Sequence, residues 1–234
     1  MVETKNHLST EKRERARGIY LLLASLFIAS LITCNLIANK FITLDLGFYT
    51  FVISVGVLPY PITFLITDVL SEMYGRKRTT HVVIAGFVVS LFVLFLLWLG
   101  NVFPAMEGSP VGDAEYQTVF KNSWRIMGAS MLAYLSAQLV DVRLFHFWKR
   151  ITKGKHLWIR NNFSTILSQL VDTILVITVI FIGERTTAEI ASMVLDGWFF
   201  KMIAALGDTA IIYLVIYLFR RYFSLKLGEE IPME

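Results

Sequence analysis

Charge is scarce in this 234-residue chain: 17% of residues are Asp, Glu, Lys or Arg, against about 25% in soluble proteins. Apolar residues reach 56% and the mean hydropathy is +0.61, so more apolar surface is present than one soluble core can hide. The excess has to face lipid. A single cysteine, Cys34, excludes an intrachain disulfide and leaves the redox compartment unread. Only 5 Pro and 14 Gly exclude collagen-like and low-complexity classes. Enzyme signatures are missing as well, with no HExxH, GxSxG, paired CxxC, Walker A or GxGxxG pattern. The four histidines, His7, His81, His146 and His156, fall in a tail or at span ends without a metal-ligand spacing. The expectation is a non-enzyme without metal or cofactor, unable to power transport by its own ATP hydrolysis.

What remains is long apolar runs. About 20 helical residues cross a hydrocarbon core of about 30 Å, and six windows qualify: 18–38, 51–71, 81–103, 126–147, 163–183 and 198–219. The first is too long for a signal-peptide core and lacks a small-residue cleavage site, so it reads as a retained helix. The connection 104–125 is too short for an inserted soluble domain. The chain is expected to be an all-α polytopic membrane protein. It divides into a basic tail (1–17), one six-helix domain (18–222) and a second tail (223–234).

Lys and Arg set the orientation, because short loops rich in them stay cytoplasmic. One side holds Lys5, Lys12, Arg13, Arg15 and Arg17, then Arg76, Lys77 and Arg78. The same side adds Lys149, Arg150, Lys153, Lys155 and Arg160, then Arg220, Arg221 and Lys226. The other side has Lys40, Lys121, Arg125 and Arg185. Both termini are therefore expected inside, which requires an even number of spans. These basic runs read as topology signals that attract anionic lipid headgroups, not as a nucleic-acid surface.

Ionisable groups inside a bilayer cost about 2.5–3.5 kcal/mol each on insertion scales. The windows contain Asp68, Asp141, Arg143, Asp172, Lys201 and Asp208. Arg143 and Lys201 are expected to snorkel to an interface; the short aspartates cannot, and must face the bundle interior. Spans four and five share a Gln-Leu-Val-Asp run, at Gln138–Asp141 and Gln169–Asp172. Three residues apart, each Gln and Asp fall on one helix face. That face continues through Ser168, Thr165, Ser164 and Asn161 on span five, and through Tyr134 and Ser130 on span four. Opposite span directions make the repeat compatible with inverted halves. In span two Pro59 and Pro61 are expected to break the helix, which is tolerated at membrane depth only where backbone is buried in protein or lines a cavity. Beyond them Thr67, Asp68, Ser71 and Glu72 form a polar cluster, with Glu72 pairing to nearby Arg and Lys. Asn35 and Asn39, four apart on span one, reach the same cavity or cap the helix end.

Several of these runs together resemble the queuosine precursor transporter family, once a domain of unknown function and grouped with vitamin uptake transporters. They are Pro61 through Gly75, Gln138-Leu139-Val140-Asp141 with Phe145, Arg160 through Thr165, and Ser168 through Thr173. The resemblance covers about residues 18–222. It implies a bacterial inner-membrane importer of 7-deazaguanine bases, 7-cyano-7-deazaguanine and its aminomethyl relative, which feed queuosine modification of tRNA. The chemistry is compatible: a carboxylate accepts both donors of a guanine-like edge while an amide donates to its carbonyl. Tyr60, Phe64 and Tyr134 would wall the ring, and a neutral base requires no buried Arg. The expected substrate contacts are Asp172, Gln169 and Ser168, then Gln138, Asp141, Asp68, Asn35, Ser164 and Tyr134. Alternating access is expected, and nothing in the sequence separates proton coupling from facilitated diffusion. Two other readings stay open, a substrate-binding subunit with separate ATPase partners and an intramembrane enzyme or assembly factor. The sequence also leaves open a homo-oligomer and which base is preferred.

Overall fold

The structure is a computed structural model that describes residues 9–38, 40–45, 47, 50–120, 124–153, 155–183 and 185–232. Lys5, His7, Asn39 and Lys121 lie outside the described residues. In chain order the elements are α1 (Thr10–Leu36), β1 (Phe41–Asp45), β2 (Thr50–Ser54), a 3-10 turn (Val55–Val57), α2 (Tyr60–Met73) and α3 (Arg76–Val102). They continue with α4 (Asp113–Phe120), α5 (Trp124–Ile151), α6 (Leu157–Phe181) and α7 (Thr187–Phe223). Among the described residues five segments are long and apolar enough to cross a membrane: α1, Val55–Met73, α3, Leu157–Val179 and α7. The chain is a multi-pass membrane protein. Helix α5, with 28 residues, is as long as α1, but Gln138, Asp141, Arg143 and His146 dilute its apolar character.

Span two differs from the expectation of a helix broken in its middle. Before Pro59 the window holds strand β2 and the short 3-10 turn, with no α-helix. Strands β1 and β2 pair antiparallel, from Phe41 opposite Ser54 to Asp45 opposite Thr50, so the fold is not purely helical. Phe41, Ile42, Thr43, Phe51, Val52 and Ile53 are β-branched or aromatic, which favours a pleated surface. Pro59 caps α2 and Pro61 lies in its first turn, where the missing N–H has no helical acceptor to lose. The prolines start the helix; they do not interrupt one. Gly56 brings the turn against α1, since a Cβ there would collide with the Cys34 carbonyl oxygen.

Helix α2 is the axis of the bundle. Thr63, Phe64 and every residue from Ile66 to Met73 are buried, with α1, α3, α5 and α7 packed around them. Leu21 and Leu22 on α1, Phe92 and Phe95 on α3, and Leu214 and Leu218 on α7 point outward, an apolar surface suited to lipid. The start of α1 and the end of α7 share one end of the bundle, where Arg15 Nη1 donates to the Tyr222 hydroxyl at 2.7 Å. The end of α2 is there too, because the Tyr74 hydroxyl donates to the Ala16 carbonyl at 2.9 Å. The segment after α7 returns to this end, with Ile231 N donating to the Met73 carbonyl at 2.7 Å. Gly75 makes the tight α2–α3 connection with φ of +82°, a conformation that costs glycine little.

Candidate functional site

Polar side chains of α2, α5 and α6 converge inside the bundle. On α2 the period of three to four residues aligns Tyr60, Thr63, Phe64, Thr67, Asp68, Ser71 and Glu72. On α5 it aligns Tyr134, Gln138, Asp141 and Phe145; on α6, Asn161, Ser164, Thr165, Ser168, Gln169 and Asp172. Every one is buried except Tyr60, which is half-buried. The two Gln-Asp faces read from sequence meet directly, since Ser168 Oγ on α6 donates to Asp141 Oδ1 on α5 at 3.1 Å. Thr165 Oγ1 reaches Asp68 Oδ2 at 3.4 Å. Ser164 donates to its own helix at Asn161 O.

Asp172 is paired from outside the stripe. Lys201 Nζ on α7 bonds Asp172 Oδ2 at 2.6 Å and lies 4.8 Å from the Tyr60 ring centroid. The Tyr60 hydroxyl donates to Asp172 Oδ1 at 3.1 Å. This corrects the expectation that Lys201 snorkels to an interface. The Lys201 side chain is 13% exposed and the Asp172 side chain 3%, and turning the lysine outward would leave an unpaired carboxylate in the bundle interior. Arg143, by contrast, is exposed.

At the other end Glu72 is fully buried and takes three cations. Arg160 Nη2 on α6 lies 2.6 Å from its carboxylate, Arg220 on α7 bonds the same oxygen, and Lys149 on α5 approaches at 3.7 Å. Glu72 thus pairs with Arg and Lys side chains, which come from α5, α6 and α7. Lys149 also pairs with Glu230 at 3.1 Å. Arg160 is wholly buried, which the sequence reading did not foresee; Glu72 and the Phe145 ring face, 5.6 Å away, occupy it. Thus two ion-paired clusters stand about 18 Å apart along α6, from Arg160 to Asp172 at 1.5 Å per residue.

The stripe between the clusters is under-satisfied. Gln169 Oε1, Asn161 Oδ1, Ser71 Oγ and both amide atoms of Gln138 are sealed from solvent without a hydrogen-bond partner in the protein. The Tyr134 hydroxyl approaches Thr63 and Gln138 without a well-formed bond. A buried polar group without a partner costs about 1–3 kcal/mol, so such a cluster is retained only where something else meets it. Gln169 and Thr165 open onto a cleft also lined by Tyr60, Phe64, Lys201 and Asp208. The Tyr60 ring packs against Phe64 and Tyr134 with centroids 5.7 and 5.8 Å away. In this conformation the cleft offers about 10 Å³ to a water's centre, room for one water and not for a ring system. The site is closed. Asn35, on α1, is half-buried and its amide donates to the Leu31 carbonyl of its own helix; it does not line the cleft.

Residues 54–215 match the family described as "putative vitamin uptake transporter". The chain belongs to this family. It is 32% identical over 131 residues to a Bacillus subtilis protein named "probable queuosine precursor transporter", covering 56% of this chain and 57% of that one. It is 25% identical over 129 residues to the "queuosine precursor transporter" of Escherichia coli, covering 55% and 54% respectively. The chain therefore spans little more than half the length of either relative. No solved structure matches it.

Proposed function

We propose that the chain is a six-span importer of queuosine precursors in the bacterial inner membrane, with both termini cytoplasmic and residues 18–222 as its membrane domain. Its cargo is 7-cyano-7-deazaguanine and related 7-deazaguanine bases for tRNA queuosine salvage, moved by alternating access. The names of the relatives support the cargo. The observation that carries the site is the set of buried, unpartnered groups near the Tyr60–Phe64 aromatic wall: both amide atoms of Gln138, the Gln169 Oε1 and the Tyr134 hydroxyl.

A deazaguanine edge presents donors and an acceptor together, and the two glutamine amides supply the complements. Tyr60 and Phe64 cover the ring. Asp172 is ready to accept the donor edge once Lys201 swings aside, with Ser168, Ser164, Asp68 and Asp141 completing the polar wall and Asn35 near the outer end. Loading requires the bundle to open, since the closed cleft has no room for a base. The Glu72 cluster supports a closure at the basic end, and the Lys201–Asp172 pair with the β1–β2 hairpin a closure at the other. Importers of this type work between such closed and open states.

The test is uptake of labelled 7-cyano-7-deazaguanine into liposomes holding the purified protein alone, with unlabelled deazapurines and purines as competitors. Uptake competed by 7-deazaguanines and not by adenine is expected. Uptake only with added ATPase partners, or none for any base, would overturn the proposal.

A further inference from the structure

Asp68 and Asp141 form the one acidic pair of the stripe that no cation meets. Asp68, on α2, is 2% exposed and Asp141, on α5, 0%. Thr165 and Ser168, one turn apart on α6, each reach one carboxyl oxygen of the pair, while Asp68 Oδ1 and Asp141 Oδ2 are sealed from solvent with no hydrogen-bond partner in the protein. Among the described residues the ion pairs of the interior belong to Glu72 and Asp172. Other groups around the pair are mostly neutral donors, Thr165 and Ser168 from α6, with Ser164 also near Asp141. Asp208 on α7 and Arg160 on α6 act on Asp68 only through space. Two carboxyl groups sealed side by side in the bundle, each with an unmet oxygen and no cation, are retained at low cost only when a proton neutralises one of them, since two bare carboxylates there repel.

From this geometry we infer that Asp68 and Asp141 are a proton-binding site, and that one proton travels with each molecule of substrate. The inference rests on the transport reading above. The proton is held between the two carboxyl groups while the bundle is closed. It is taken from the outer solution and delivered to the inner one as the neutral base crosses, so no bond other than O–H is made or broken. Thr165 links the two ligands. Its side chain lines the cleft beside Gln169 and also donates to Asp68 Oδ2, so a base that draws on Thr165 alters the solvation of the pair. Glu72 and Asp172 are already occupied, the first by Arg160, Arg220 and Lys149 and the second by Lys201.

The experiment uses the full chain in liposomes with the membrane potential clamped and labelled 7-cyano-7-deazaguanine outside. With one proton per base, an alkaline interior of about one pH unit raises accumulation by up to about tenfold. Adding base to the wild type also alkalinises the weakly buffered exterior, read with a pH dye. Asp68→Asn and Asp141→Asn each bring the ratio of rates with and without the gradient to one. The wild-type dye signal decides the matter if either variant fails to fold. Base uptake indifferent to the pH gradient, or driven by a sodium gradient instead, overturns the proton site and leaves the importer standing. No uptake of any deazaguanine overturns the importer itself.

Discussion

Asp172 is held by two donors of different kinds, and the two respond differently to substitution. Removing the ammonium with Lys201→Met leaves a carboxylate uncompensated in the bundle interior. Breaking one side of a buried pair costs about 3–5 kcal/mol, so the variant in detergent is expected to melt at a markedly lower temperature. Combining Lys201→Met with Asp172→Asn removes the stranded charge and should recover much of the loss, a coupling that a double-mutant cycle measures. Additive losses would mean the pair is not an energetic unit. Tyr60→Phe removes one neutral hydrogen bond and is expected to cost only about 1 kcal/mol. The aspartates were legible in sequence because a short carboxyl group at membrane depth has few places to go. Lys201 was not. A long side chain at a span end fits snorkelling and pairing equally well, and its partner lies 29 residues away on another helix. The same holds for Glu72, whose cations come from α5, α6 and α7 and follow no local spacing.

The β1–β2 hairpin and the start of α2 test whether the prolines begin a helix or break one. If Pro61 belongs to a first turn, Pro61→Ala removes no kink and is expected to change stability by less than about 1 kcal/mol. A larger gain, as from healing an interrupted helix, would restore the broken-span picture. Gly56→Ala is expected to be severe, since its Cβ would meet the rigid Cys34 carbonyl of α1; lowered thermal stability and reduced uptake check it. Phe51 anchors the hairpin by packing edge-on to Phe200 of α7 at 5.1 Å between centroids. The apolar run 51–71 was read as one helix because hydropathy windows count apolar residues without regard to period, and a short apolar strand looks the same as a buried helical turn. The helices α1, α3, α6 and α7 were legible because their runs exceed 20 residues, far beyond any strand. Within α5 and α6, the three-residue Gln-Asp spacing was enough to place both polar faces on the interior.

The alternation of basic and non-basic ends along the chain makes a prediction about the whole molecule. Cys34 is buried, so in a Cys34→Ala background a single introduced cysteine reports on one side of the membrane. Met106→Cys, between α3 and α4, is expected to react with an impermeant maleimide in cells whose outer membrane is permeabilised. Lys153→Cys, between α5 and α6, is expected to react only after lysis; the reverse pattern would invert the topology. The proposed import requires that the interior stripe open and bind the base. Gln169 lines the cleft, and its buried Oε1 has no hydrogen-bond partner in the protein. The most direct measurement is the affinity of purified protein for 7-cyano-7-deazaguanine, wild type against Gln169→Ala. Loss of one buried hydrogen-bonding group is worth about 1–3 kcal/mol, so binding should weaken at least about fivefold with thermal stability kept. Equal affinity in the two proteins would contradict a base held by the α6 stripe.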